Sequence, residues 1–237
     1  MEHKTALLIV DTQRGFIDLT KEFGSIEKAI CIPGVKKVLD TVRGMSVPIY
    51  YITTRHKSDR STLIPMHYDN NKMFCEENTD CVDIPNQLRP SSNDNIIIKR
   101  KFSSFFETDL DNQLKMKSIE TIIITGLAAD CCVYHTAGDA AQLGYRVIVP
   151  YKAISAADSS KYRLGMRFIE TSVGKIVEIQ QLIDCNLDYT SAKTVASSKA
   201  VKWYEQKYTK AQKMKQKYKK RIEKDFDAAI EWYIKNF

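Results

Sequence analysis

Thr5-Ala-Leu-Leu-Ile-Val-Asp11 is an unbroken apolar run, rich in branched side chains, that ends in an acid. Alternation would mark a strand with one wet face. An unbroken run marks a strand buried on both faces, and its natural host is a parallel sheet. Outward from this run the pattern repeats. Val38, Leu39 and Val42 stand at helical spacing, Val47 to Thr53 reads as extended, and Ile96-Ile97-Ile98 is a short β-branched run. Leu110, Leu114 and Met116 precede a strand over Thr121 to Thr125 and a turn at Gly126. A helix follows from about Cys131 to Leu143, and Gly144 ends it with a left-handed cap. Strands over Tyr145 to Val149 and Ile176 to Ile179 flank a helix over Tyr162 to Glu170. This alternation predicts one doubly wound α/β domain over residues 1–188, a mostly parallel sheet with helices on both faces.

The rhythm fails in two places. From Thr54 to Asn95 about 40 residues show no period, a length more typical of a functional covering loop than of a plain connection. This segment is expected to wall or cover a site and to contain some short helix. From 189 to 237 the chain becomes lysine-rich, holds both tryptophans and lacks Gly and Pro. Val201, Tyr204, Tyr208, Ala211, Tyr218 and Ile222 follow 3 and 4 spacing, interrupted by Lys215. That predicts a helical extension of one or two amphipathic helices.

Composition sets the outer limits. A chain of 237 residues with 43% hydrophobic and 27% charged residues has enough apolar surface for one sizeable core. Its apolar runs are far shorter than a membrane span requires, and Met1 to Lys4 begins no secretory leader. Six dispersed cysteines without a CxxC pair argue against a disulfide scaffold or structural zinc, so a reducing cytoplasm is expected. The net charge of +7 resides in the extension: residues 190–237 carry 13 basic against 5 acidic residues, the rest of the chain 23 against 24. Aromatic residues at helical spacing make the extension a packing stripe whose lysines form the solvated opposite face. Nucleic acid and membrane are not expected as partners, whereas packing onto the body or into a homo-oligomer is.

Ligands of open parallel sheets bind beyond the carboxyl ends of the strands. Three residues fall at such ends: Asp11 after the first strand, Lys99 after Ile96 to Ile98, and Cys132 in the first turn of the helix after Thr121 to Thr125. A helix N-terminus and an ammonium both favour a thiolate, which would activate Cys132. Asp11 would take the thiol proton and return it to a leaving amine, and backbone N–H groups between Gly126 and Cys132 would hold an oxyanion. Such equipment suits acyl transfer through a thioester. Lys101 competes with Lys99 by strand alternation, and is read as a pocket-rim or solvated charge. Cys131 competes with Cys132, and is read with Cys31 and Cys185 as a small buried hydrophobe. His135, one turn beyond Cys132, is read as core or rim.

Gly126-Leu-Ala-Ala-Asp-Cys-Cys132-Val-Tyr-His-Thr136-Ala-Gly-Asp139-Ala resembles the cysteine signature of the isochorismatase-like hydrolases. Asp11-Thr-Gln13-Arg-Gly-Phe16 resembles that family's opening Asp-x-Gln-x-x-Phe, and Lys99-Arg-Lys-Phe-Ser103-Ser-Phe105 its lysine segment. The resemblance spans about residues 4 to 182. It implies Asp11 as general acid/base, Lys99 as the assisting cation and Cys132 as nucleophile. It also implies a cis peptide, placed at Leu127-Ala128, with the Ala128 and Cys132 amides as oxyanion donors. Gln13, Phe16 and Phe105, which belong to the matching blocks, are expected at the substrate pocket.

Members that resemble this chain but cleave the vinyl ether of isochorismate lack the cysteine, so Cys132 favours an amide, carbamoyl or ureido C–N bond. Nicotinamidases of the family bind a metal through an Asp-x-His segment, where this chain has Thr53-Thr-Arg55-His56-Lys57-Ser58-Asp59. His56 and His67 are therefore read as loop residues, and neither a metal nor another cofactor is expected. The resemblance then implies a metal-independent amidase of the carbamoylsarcosine or ureidoacrylate kind, with nicotinamide hydrolysis as the alternative. Arg55 and Arg60 are the candidates for a clamp on a substrate's acid, since guanidinium binds carboxylate bidentately. The rival of another class is a non-catalytic interaction protein that acts through the basic helix.

Overall fold

In the computed structural model, which describes residues 4–237, strand and helix alternate as the apolar periodicity predicts. The reading of Met1 to His3 lies outside the described residues. The first half runs β1 (Thr5–Val10), α1 (Arg14–Ile17), α2 (Ile32–Arg43), β2 (Ile49–Thr54), α3 (Pro65–Asp69), β3 (Asn95–Lys99), α4 (Leu110–Met116) and β4 (Thr121–Leu127). The second half runs α5 (Cys132–Gln142), β5 (Arg146–Pro150), β6 (Ile154–Ser155), α6 (Ser159–Phe168), β7 (Gly174–Val177), α7 (Ile179–Asp184), α8 (Ser197–Ile222) and α9 (Phe226–Asn236).

The sheet has the order β3-β2-β1-β4-β5-β7, with the two-residue β6 beside the end of β4, and every pairing is parallel. All residues of β1, β2 and β4 are buried, the pattern expected of central strands covered on both faces. Edge strand β3 differs. Its Ile97 is buried, while Ile96 and Ile98 are 50% and 44% exposed, so the β-branched run marks a strand with only one covered face.

Chain direction changes side at β1. From it the chain winds outward through β2 and β3, then crosses to β4 and winds the other way, which makes the ends of β1 and β4 the topological switch point. Two local features bring these ends close. Gly126 has φ +106°, and a Cβ there would fall 2.0 Å from the Val10 carbonyl oxygen, so only glycine fits. Asp11 takes a left-handed φ of 53°, uncommon outside glycine but tolerated by Asp, and this turns the chain out of the sheet at the site.

Helix α5 buries Val133, Thr136, Ala137 and Ala140 at helical spacing, and Gly144 follows it at φ +93°. Two boundaries differ from expectation. Helix α6 begins at Ser159 because Asp158 caps it, accepting a hydrogen bond from the Lys161 N–H. The last strand ends at Val177, and Ile179 opens α7, since an apolar run of four does not fix its own register.

Residues 55–94 form the covering segment, with α3 and short 3-10 turns but no strand of their own. An isolated parallel bridge, His56 to Glu76, closes its first loop. The extension forms two helices, α8 and α9. Lys215 does not interrupt α8, and Val201, Tyr204, Ala211, Tyr218 and Ile222 are buried in the same core cluster as the sheet. Tyr204 stacks on Tyr162 with ring centroids 4.0 Å apart and planes 7° from parallel, and its hydroxyl donates to the Ala156 carbonyl at 2.6 Å. Among the described residues no helix is long and apolar enough to cross a membrane.

Tyr204→Phe keeps the ring stack and removes that hydroxyl, leaving the buried Ala156 carbonyl without this partner. It should lower stability by about 1–2 kcal/mol, a Tm drop of about 2–8 °C for a chain of this size. Thermal unfolding measures it, and an unchanged Tm would mean that the hydroxyl contributes nothing to docking of α8.

Candidate active site

Asp11, Lys99 and Cys132 converge at the switch point. Lys99 is 1% exposed, and its Nζ lies 3.0 Å from Asp11 Oδ2 and 3.1 Å from Cys132 Sγ. An ammonium has three hydrogens. Here they go to Cys132 Sγ, to Thr54 Oγ1 at 2.7 Å and to the Lys101 carbonyl at 3.0 Å. Asp11 Oδ1 accepts from the Thr54 N–H at 3.0 Å and from the Thr54 hydroxyl at 2.8 Å. Asp11 Oδ2, although ion-paired with Lys99, receives no hydrogen bond of good geometry. It is thus a buried carboxylate oxygen with an open proton-accepting position beside the thiol's own partner.

Burial alone pulls the Lys99 pKa down, but Asp11 and Cys132 outweigh it and hold the ammonium above the ordinary lysine range. The Cys132 thiol moves the other way from the sequence expectation. Contact with Cys131, burial and the Asp11 carboxylate together raise it well above an ordinary cysteine, against the opposing pull of Lys99. This direction runs against the expected thiolate, and it comes first from the Cys131 contact, then from burial and the Asp11 carboxylate. A base is then required, and Asp11 Oδ2 stands ready.

The Leu127-Ala128 peptide is cis. The Ala128 carbonyl accepts from the Cys131 and Val133 N–H groups, which fixes the loop ahead of α5. The Ala128 N–H makes no backbone hydrogen bond, and the Cys132 N–H, at the first position of α5, has no acceptor within the helix. These two amides and the three side chains border a cavity of about 310 Å³.

The other expected pocket residues divide. Phe16 lines the cavity. Gln13 does not. It is fully buried, with its amide bonded at both ends to the Thr54 backbone (2.8 and 2.9 Å), so it positions Thr54 rather than substrate. Phe105 is also off the cavity, stacked on Tyr145 with centroids 6.0 Å apart. The proposed arginine clamp is overturned. Arg60 is held by Asn71 and the Tyr68 carbonyl, with its guanidinium over the Tyr68 ring, and Arg55 faces a different cavity. The lysine choice is resolved by contact: Lys99 reaches Cys132, while Lys101 Nζ reaches across the pocket to the Thr62 and Leu63 carbonyls of the covering segment. His135 turns Nδ1 to the Cys131 carbonyl and makes no contact with the sulfur of Cys132.

Several pocket residues had no sequence signal because they lie in the segment without periodicity. Phe74 stands at the centre of an aromatic wall, 5.9 Å from Phe16, 5.4 Å from Phe23, 4.9 Å from His56 and 5.0 Å from His67. Burial and the nearby Lys99 push His56 down to about 4, so its ring is neutral at physiological pH. This geometry does not suit a metal. His56 sets its ring edge against Phe74 with Nδ1 3.2 Å from Thr62 Oγ1, Asp59 is exposed and bonded to Ser61, and among the described residues no three of His, Cys, Asp and Glu are grouped to hold an ion.

Comparison with known proteins agrees with this architecture. Residues 5–181 match the Isochorismatase domain. The chain is 28% identical over 182 residues to an uncharacterized isochorismatase family protein of Bacillus subtilis, covering 76% of this chain and 93% of that protein. It is 27% identical to the N-carbamoylsarcosine amidase of an Arthrobacter species, covering 76% of this chain and 70% of the amidase. Among solved structures, a cysteine hydrolase from Pseudomonas syringae superposes with a TM-score of 0.71 at 26% identity, covering 76% of this chain and 91% of that one.

Since the resting thiol is neutral, iodoacetamide labelling of Cys132 should accelerate about tenfold per pH unit between roughly pH 7 and 9. Lys99→Met removes the cation that pulls the thiol down and should slow labelling at pH 8 by about tenfold or more. Peptide mass spectrometry reads both, and an equal rate in the variant would remove Lys99 from control of the sulfur.

Proposed function

The chain belongs to the isochorismatase family, and on that footing we propose that it is a cysteine-dependent hydrolase of a C–N bond in a small carbamoyl, ureido or amide compound. One observation carries the reading: a single ammonium 3.0 Å from a carboxylate oxygen and 3.1 Å from a sulfur, at a cavity large enough for a small metabolite.

Chemistry follows from the donors and acceptors. Asp11 Oδ2 takes the Cys132 proton as substrate enters, and Lys99 stabilises the sulfur charge that develops. The sulfur bonds to the substrate's carbonyl carbon, and the former carbonyl oxygen takes up the electron pair against the Ala128 and Cys132 amides. Asp11 returns its proton to the nitrogen, the C–N bond breaks, and ammonia or an amine leaves an acyl- or carbamoyl-cysteine. Water, losing a proton to Asp11, then attacks the same carbon. The sulfur leaves and recovers its proton, and a carboxylic or carbamic acid is released. No step requires a metal or another cofactor.

Substrate class is read from the cavity's charges. Lys28 lines it, donates to the Phe23 carbonyl at 2.6 Å and forms none of the described ion pairs. Burial and the neighbouring Lys161 pull its pKa down and outweigh the more distant Asp130 and Glu27, so the ammonium gains from a further anion at close range. Lys72 and Lys101 also face the cavity without a carboxylate. A substrate with an acid group, such as an N-carbamoyl amino acid or ureido acid, supplies what these cations lack. Phe74 and Phe102 offer flat apolar faces that favour a planar ring instead, and nicotinamide is the second reading. The rival non-catalytic reading leaves a buried acid, amine and thiol at three strand ends without a purpose.

Homo-oligomerisation belongs to the same proposal. Exposed Ile96 and Ile98 on edge strand β3 supply an apolar surface suited to a second copy.

A panel of N-carbamoyl amino acids, ureido acids and nicotinamide, assayed by ammonia release, tests the reading. At least one substrate should be turned over, with Cys132→Ala lowering kcat/KM on the order of 10³-fold or more. Lys28→Gln should raise KM roughly tenfold for acids while leaving neutral amides unaffected. Turnover that survives Cys132→Ala would end the covalent mechanism.

A further inference from the structure

Arg55, turned away from the catalytic pocket, lines a second cavity of about 750 Å³ between the covering segment and the turn joining α8 to α9. It is half-buried, its Nε is buried with no hydrogen-bond partner among the described residues, and none of the described ion pairs of its neighbours includes it. An unpaired guanidinium withdrawn from water is costly. A lysine relieves that cost by losing its proton, whereas arginine keeps its charge at any physiological pH. A half-buried, unpartnered arginine on a cavity wall therefore calls for an anion from outside the chain.

The balance of the remaining wall agrees. Three of its four acids are already engaged. Asp227 accepts from the backbone and side-chain amides of Asn86 at 2.8 and 2.7 Å, and Asp225 caps α9 through the Ala228 N–H at 3.0 Å. Glu223 faces Lys219 at 3.9 Å, and the fourth, the exposed Asp83, lies in the field of Arg14. Arg89 and Lys224, exposed on the same wall, have no such partners. The uncommitted charge is cationic, around a space of small-metabolite size.

We propose that this cavity binds a small anionic molecule bearing a phosphate or a carboxylate, paired with Arg55 and closed over by Arg89 and Lys224. The site differs from the catalytic one in its origin. Part of its wall comes from the α8–α9 turn, beyond the residues 5–181 that match the family domain. Arg55 also directly follows Thr54, which holds Asp11, and its own N–H bonds the Lys99 carbonyl at 3.2 Å. An occupant would thus rest one residue from the catalytic acid.

Thermal unfolding of the full chain at constant ionic strength, with chloride as reference, tests the assignment. Pyrophosphate is the probe in one arm and succinate in the other, and the arm that responds identifies the anion's source. Either probe, at about ten times its Kd, should raise Tm by about 3 °C or more. Arg55→Gln and the exposed Lys224→Gln should each reduce that rise by more than half, while Lys28→Gln, in the catalytic pocket, leaves it intact. No rise with either probe, a full rise in Arg55→Gln and Lys224→Gln, or a rise abolished by Lys28→Gln would each overturn the proposal.

Discussion

A single ammonium ties three strand ends together. Lys99 has three hydrogens, and it gives one to the residue that ends β2, one to the loop after its own strand and one to the sulfur that begins α5. Asp11, at the end of β1, provides the counter-charge that allows so buried a lysine to stay protonated. Geometry and charge are inseparable here. Removing the acid would leave a buried cation uncompensated, and removing the lysine would leave an acid and a thiol that repel once both ionise. The thiol is raised first by its contact with Cys131, then by burial and Asp11, against the pull of Lys99.

Thr54 makes this arrangement directional. Its hydroxyl accepts from Lys99 and donates to Asp11 Oδ1, so Oδ1 is committed and Oδ2 is left to handle protons. Gln13 bonds Thr54 from both amide ends and keeps its backbone in register. Thr54 on the cavity wall and Gln13 behind it thereby decide which oxygen of the acid is left free.

The central strands were legible because burial on both faces produces unbroken apolar runs, and α5 because its small residues recur at helical spacing before a left-handed glycine. The three residues proposed as catalytic were legible because chemistry-bearing residues at strand ends have no folding role to explain them. The pocket wall was not. Phe74 sits in a loop, His67 in the short α3 and Lys28 in a single 3-10 turn, elements too short to show a period. The arginine clamp failed for a related reason: at a strand end, one residue of offset sends a side chain to the opposite side, and Arg55, adjacent to Thr54, points into another cavity. The sign of the Cys132 shift depends on the Cys131 contact, burial and the opposed charges of Asp11 and Lys99, which spacing alone does not supply.

Tyr204 and Tyr218 place the end of the chain inside structure laid down near its beginning. Tyr204 reaches the Glu27 and Ala156 carbonyls, and Tyr218 the carbonyl of Ile17. A ribosome adds residues from the N-terminus onward, and domains commonly fold as they emerge. Here the sheet can assemble on the nascent chain, but the apolar surface beneath α8 stays uncovered until Ser197 to Ile222 have emerged.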